Sequence, residues 1–261
     1  MTLITTSALL FLGSAPGHAQ APRDPTAVAL IRQALAKLSG GETSVRDLTL
    51  EATVTYRAGS DVETGTATLQ ALGDQQSRVI LNLSGGQRQQ VRSGSTGAWT
   101  GPDGKGHAMS GGNCWTEAAW FSPLLVLVAS GSDATVVLLN LGPAIWNGTT
   151  VNHVRLYRAP PGLDARTSAA IQQVSTEDLY FDPATGLPVA LDFKLQPDHA
   201  GAEISTEIRY SDYQKTEGGV SAFHVQELLN GSLLLDLTVT NVTVNSGLTP
   251  ALFSSAAGRQ Q

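Results

Sequence analysis

The stretch YFDPATGLPVALDFKL, residues 180–195, sets two apolar runs on either side of a turn. After Asp182-Pro183 the chain reverses, and Leu187, Val189, Leu191, Phe193 and Leu195 alternate with Pro188, Ala190, Asp192 and Lys194. A period of two puts the first set on one greasy face of a strand and turns Asp192 and Lys194 toward water. Asp182 to Gly186 reads as a type I-like turn with Pro183 preset at its second position. Gly186 takes the positive φ of a bulged hairpin.

The same period recurs outward in both directions. Toward the N-terminus it runs through residues 45–57, then Ala67, Leu69 and Ala71, then Val79, Leu81 and Leu83, then residues 87–92 and a fifth strand at Trp99. It returns at residues 150–158 and 174–181, and after the opening stretch at 203–213, 219–229 and 233–244. Asn230-Gly231 and Gly218-Gly219 mark further hairpins. In the last strand apolar residues fall on odd numbers through Val239 but on even numbers at Val242 and Val244, so a bulge is predicted near Thr240-Asn241. Pro25 to Leu38 reads as a helix, with Val28, Ile31, Leu35 and Leu38 at helical spacing and Gly40-Gly41 as its stop. Residues 113–141, apolar nearly all round, read as two short helices, with Pro123 in a first turn and Asp133 as an N-cap. Two buried strands are the competing reading.

Composition agrees. The 261-residue chain has 15% charged residues and few aromatics, with Gly, Ser and Thr abundant, which suits antiparallel sheets. A net charge of -6 and the lack of a Lys/Arg cluster argue against a nucleic-acid partner. One cysteine, Cys114, rules out an intramolecular disulfide and any C-x-x-C motif. The fold class is therefore α+β: a large antiparallel sheet of about ten or eleven strands with the N-terminal helix and short middle helices, which either splits into two layers or curls into an incomplete β-barrel that the helices cover.

Residues 1–19 read as a signal peptide, with the apolar run SALLFLG and small residues at Gly17-His18-Ala19 before a cleavage point. Residues 20–24 form a polar linker, and residues 25–261 a single half-barrel domain. No later run reaches the ~18 apolar residues of a spanning helix. The expectation is an exported, periplasmic, soluble monomer.

A sheet this large with so few helices leaves an apolar hollow, which suits acyl chains. Its candidate wall is Val54, Tyr56, Leu81, Trp99, Trp115, Trp120, Phe121, Leu125, Val189, Leu191, Phe193, Ile208, Tyr210 and Leu237. Trp115, Trp120 and Phe121 read as a lid helix that both plugs the sheet and lines the hollow. Catalytic signatures are missing: the five histidines show no metal-ligand spacing, and neither H-E-x-x-H, G-x-S-x-G nor a phosphate loop occurs. Carboxylates such as Asp178 with Asp182, or Glu207 with Asp212, could pair as acid and base, but nothing separates them from turn and strand-edge residues. The expectation is a non-enzymatic protein with no metal or organic cofactor.

YFDPATGLPVALDF, followed by YSDYQKTEGGVSAFHVQELLNGSLLLDLTVTNVTVNSGLTPALF, resembles the C-terminal half of the bacterial outer-membrane lipoprotein carriers, the LolA/LolB-like superfamily. Asp182, residues 185–188 and 211–213, Gly219, Val220, Asn245, Leu248 and Phe253 carry the match. Helix, meander, helices and second meander is also that family's element order. The resemblance implies a half-barrel covered by helices whose hollow receives a lipid or an acylated lipoprotein, with an envelope membrane protein as a further partner. It also implies an arginine that locks the helical lid, for which Arg78 and Arg88 are the candidates. An envelope scaffold with a filled core is the alternative function.

Overall fold

The computed structural model describes residues 21–40, 45–73, 75–197 and 202–254. The expected signal peptide lies outside these residues. The chain enters through α1 (Pro25–Leu38) and runs outward through β1 (Asp47–Ala58), β2 (Asp61–Leu72), β3 (Gln76–Leu83), β4 (Gly86–Ser93), β5 (Thr96–Thr100) and β6 (Gly106–Ala108). A 3-10 turn (Gly111–Trp115) and α2 (Pro123–Ser132) then carry it to β7 (Val136–Trp146). It returns through β8 (Thr149–Arg158), α3 (Ala165–Ser175), β9 (Glu177–Phe181), β10 (Pro188–Leu195), β11 (Ile204–Thr216), β12 (Gly219–Leu229) and β13 (Ser232–Val244).

The sheet order is β6-β5-β4-β3-β2-β1-β13-β12-β11-β10-β9-β8-β7, a single curved, unclosed antiparallel sheet of thirteen strands. Strands one and thirteen meet in the middle, so the segment from β6 to β7 must join the two outer edges. Residues 109–122, the strap, make the first part of that crossing.

Local rules explain most elements. Asp24 accepts hydrogen bonds from the Thr26 and Ala27 amides, Pro25 opens α1, and Ala27, Ile31, Ala34 and Leu38 form its buried face. The helix ends against Gly219, where a Cβ would lie 2.0 Å from the Leu38 carbonyl oxygen, so only glycine fits. The Asp182 turn forms as expected: Gly186 has φ 67°, its amide donates to the Asp182 carbonyl at 2.6 Å, and the register slips between Pro188 and Ala190. The predicted bulge in the last strand is present, because Glu51 pairs with Asn241 and Ala52 with Val239, leaving Thr240 over.

Three expectations are corrected. The second middle helix is instead the edge strand β7; its Val136, Val137 and Leu138 are buried, and a fully apolar run carries no period to tell the two apart. Asp133 therefore ends α2, its amide donating to the Ala129 carbonyl, and Ser122 is the N-cap. Trp115 ends the short 3-10 turn, and Trp120 and Phe121 lie on the strap ahead of α2 rather than on a middle helix. Helix α3 and the short β6 have no counterpart in the sequence reading.

Candidate functional site

The inner face of the sheet is unevenly filled. At one end α1, α2 and Phe121 pack onto Leu48, Leu50, Leu69 and Val225 in one continuous core. At the other end a cavity of about 400 Å³ stays open between β4–β5 and β10–β12, beneath the strap. Trp99, Trp120, Phe193, Leu195 and Ile204 supply apolar surface, and Gln90, Arg92, Gln196 and Glu227 supply the polar points. That size and mixture fit a small-ligand site.

Of the expected wall, Trp99, Trp120 and Phe193 line this cavity. Val54, Leu81, Phe121, Leu125, Leu191, Ile208, Tyr210 and Leu237 are buried core instead. Alternation reports which face a residue is on, and cannot report whether a helix fills the space opposite. Tyr56 lies under the Arg88 guanidinium, 4.6 Å from the ring centre, and Trp115 borders a smaller cavity of about 190 Å³. Val189 occupies the bulge of β10 and is half-buried. On the opposite face Lys194 is exposed as expected, but Asp192 is half-covered, with its Oδ1 buried and unbonded among the described residues.

The strap is held by buried polar groups. Arg92, 4% exposed, donates from Nη2 to the Thr116 carbonyl at 2.6 Å, and from Nη1 to the Glu117 carbonyl at 3.2 Å and Thr116 Oγ1 at 3.3 Å. Glu177 of β9 accepts the Glu117 amide at 2.6 Å. Arg158 of β8 reaches Glu117 Oε1 at 3.1 Å and also Asp133. Burial, aided by the Glu117 charge, drives the Glu177 carboxyl well above the usual carboxylate range, while the nearby arginines oppose it. Tyr210 Oη closes the set by donating to the Trp120 carbonyl at 2.6 Å.

The expected lid-locking arginines are elsewhere. Arg78 reaches Gln89 at 3.4 Å, and Arg88 pairs with Glu63 at 2.7 Å. Arg92 is the one that grips the strap. A signal for it existed in the strand period: Gln90 and Arg92 share a face of β4, and Arg92 pairs across to Ser77, two residues from the inward Val79.

The carboxylates considered as acid/base pairs are engaged apart. Asp178 takes Arg155 at 2.9 Å and His153 at 2.6 Å, whereas Asp182 caps its own turn. Glu207 binds Arg209 at 2.7 Å and the Trp146 indole at 3.1 Å. His224 contacts Asp236 at 2.6 Å. Among the described residues no three His, Cys, Asp or Glu side chains group to hold a metal. His18 and His199 lie outside them.

No family model and no curated protein matches the sequence. Solved structures do match. One is a domain from Vibrio parahaemolyticus described as an outer membrane lipoprotein-sorting protein, with TM-score 0.52 at 12% identity over 88% of this chain and 96% of that one. Another is a DUF1329 family protein from Desulfovibrio piger, with TM-score 0.51 at 13% identity over 88% of this chain and 98% of that one. The chain has the LolA-like fold. At such identities the likeness is one of fold. Within this LolA-like sheet, the bulge after Asp182 and the glycine under α1 account for matched residues in the resemblance: they are turn and packing positions.

Proposed function

We propose that this protein is an exported, periplasmic, non-enzymatic binder of hydrophobic ligands. It carries or senses a lipid or a lipoprotein acyl chain in the open end of its half-barrel. The carrying observation is the cavity of about 400 Å³ beneath a strap that Arg92 ties to the sheet, with Trp99, Trp120 and Phe193 presenting ring surface to it. The fold shared with a lipoprotein-sorting domain supports the reading. So does the apolar run before Ala19, and among the described residues no helix is long and apolar enough to cross a membrane. An envelope membrane protein is the proposed further partner, and a monomer the proposed state. Native mass spectrometry of protein purified from its own host tests this reading. A lipid-sized adduct lost on delipidation supports it, and an adduct-free protein that also refuses acyl probes contradicts it.

A second reading draws on the packed end. There α1, α2 and Phe121 pack onto the sheet in one continuous core, as a scaffold that only docks a partner would require. The open cavity is the observation that sets it second.

A further inference from the structure

Glu227 is out of place on the inner face. It pairs across to Ile208 on one side and Leu235 on the other, both buried apolar residues, and it lines the cavity. Its carboxyl makes no hydrogen bond among the described residues, and the side chain is largely shielded at the cavity wall. The inward positions beside it in β11 are Thr206, Ile208 and Tyr210, and the Tyr210 hydroxyl is committed to the Trp120 carbonyl. The charged group that shares the cavity is Arg92, across on β4, whose two terminal nitrogens are engaged by the strap carbonyls and whose Nε is sealed from solvent. Among the described residues no lysine lines the cavity.

A carboxylate offers only acceptors, so a ligand that satisfies it must bring a donor or a positive charge. Trp99, Trp120 and Phe193 border the same space, and aromatic faces attract cations, tryptophan most strongly. A free fatty-acid headgroup would instead place a second negative charge beside an unpaired one.

We propose that the cavity selects an amphiphile with a protonated amine, its apolar chain against Phe193 and Leu195 and its ammonium group at Glu227. This deepens the binding reading above and rests on it. It requires Glu227 to be ionised in the complex. Burial alone pushes the free carboxyl up to about 7, so the preference for amines is strongest above neutrality and fades as the pH falls below 7.

The test uses the full mature chain and three probes with the same tail, dodecylamine, dodecanol and dodecanoate, each below its micelle concentration, titrated at pH 8 and pH 5.5. At pH 8 the amine should bind at least about tenfold more tightly than the alcohol, which is about 1.4 kcal/mol, and dodecanoate should bind least. Glu227→Gln, a near-isosteric change, should bring the amine down to about the alcohol's affinity and so abolish the amine-to-alcohol ratio. The pH comparison on the unaltered protein stands even if that variant folds poorly: the amine-to-alcohol ratio should shrink at pH 5.5. A lyso-phosphatidylethanolamine with the same chain distinguishes the sources. Glu227-dependent binding of it assigns the amine to a membrane lipid headgroup, and binding of the simple amine alone assigns a free alkylamine. Tightest binding of dodecanoate, or an amine-to-alcohol ratio unmoved by both Glu227→Gln and pH, overturns the inference while leaving the apolar site standing. Failure of all the probes overturns both.

Discussion

The Arg92 guanidinium donates to the Thr116 carbonyl at 2.6 Å, and both residues are buried. A charged side chain on the inner wall of the sheet thus fixes the backbone that roofs the cavity. Taking that charge out of water is costly, and three strap acceptors with Glu117 and Glu177 close by offset it. Removing Arg92 leaves the Thr116 and Glu117 carbonyls without the guanidinium that donates to them. Arg92→Met should cost about 3–5 kcal/mol in a urea melt and expose residues 109–120 to protease well before global unfolding. A stable variant with an uncut strap would show that the contact does not hold the roof.

Tyr210 fastens the same roof more gently. Its hydroxyl donates to the Trp120 carbonyl at 2.6 Å from a fully buried position. Tyr210→Phe should cost about 1–2 kcal/mol and shift Trp120 fluorescence, since it leaves a buried carbonyl unpaired. Unchanged emission and stability would contradict the link.

Phe193 and Leu191 lie on the same face of β10, yet Phe193 borders the cavity and Leu191 is sealed in the core at 0% exposure. Leu191→Ala should therefore cost about 2–5 kcal/mol, near the upper end. Phe193→Ala should cost less than a sealed aromatic would, under about 3 kcal/mol, but weaken uptake of a fluorescent acyl probe. Lys194→Ala, on the exposed face, should change neither. Equal thermal losses at positions 191 and 193 with probe uptake intact would mean that the ring is filled core.

Asp192 gives a pH signature. Burial first, then the charges of Glu207 and Asp178, push its carboxyl from the ordinary 3.8 up to about 7. The folded state then holds a proton that the unfolded chain releases between those values. Its contribution is most favourable below about pH 4 and is lost as the pH rises through 7. Asp192→Asn should stabilise the protein at pH 8, by on the order of 1–2 kcal/mol after solvent screening, and by little at pH 4. Thermal melts at the two pH values decide it, and an equal effect at both would remove the carboxyl as the cause.

Export is tested separately. The intact mass of secreted protein should correspond to a chain that begins near Gln20, and a mature chain that still begins at Met1 would contradict it.

Much of the sheet was legible because alternation and turn chemistry agreed. Asp182-Pro183 to Gly186, Asn230-Gly231 and the phase change at Thr240 each predicted a local geometry that forms. What stayed hidden has physical reasons. Helix α3, ARTSAAIQQVS, buries only Ile171 and Ser175, so it offers no apolar stripe; its Asp164 cap, which accepts from the Arg166 and Thr167 amides, was the one available signal. The first strand of the return, β7, is apolar on successive residues and shows no period. The site was less legible than the fold. Strand phase set Phe193 on the face of β10 that borders the cavity, but the border between filled and open hollow depends on how far α1 and α2 reach. The polar members Arg92 and Glu227 were invisible to a search for apolar walls.

Quenching by a bromine-labelled fatty-acyl ester reports directly on an acyl chain in the hollow, because bromine quenches only indoles it nearly touches. Trp99 and Trp120 line the cavity, while Trp146 lies on the outer face against Glu207 and Arg209. Quenching should saturate with one ligand per chain, be greatly reduced in a Trp99→Phe, Trp120→Phe double variant and stay intact in Trp146→Phe. No saturable quenching, or quenching that disappears with Trp146 instead, would contradict an acyl-binding hollow.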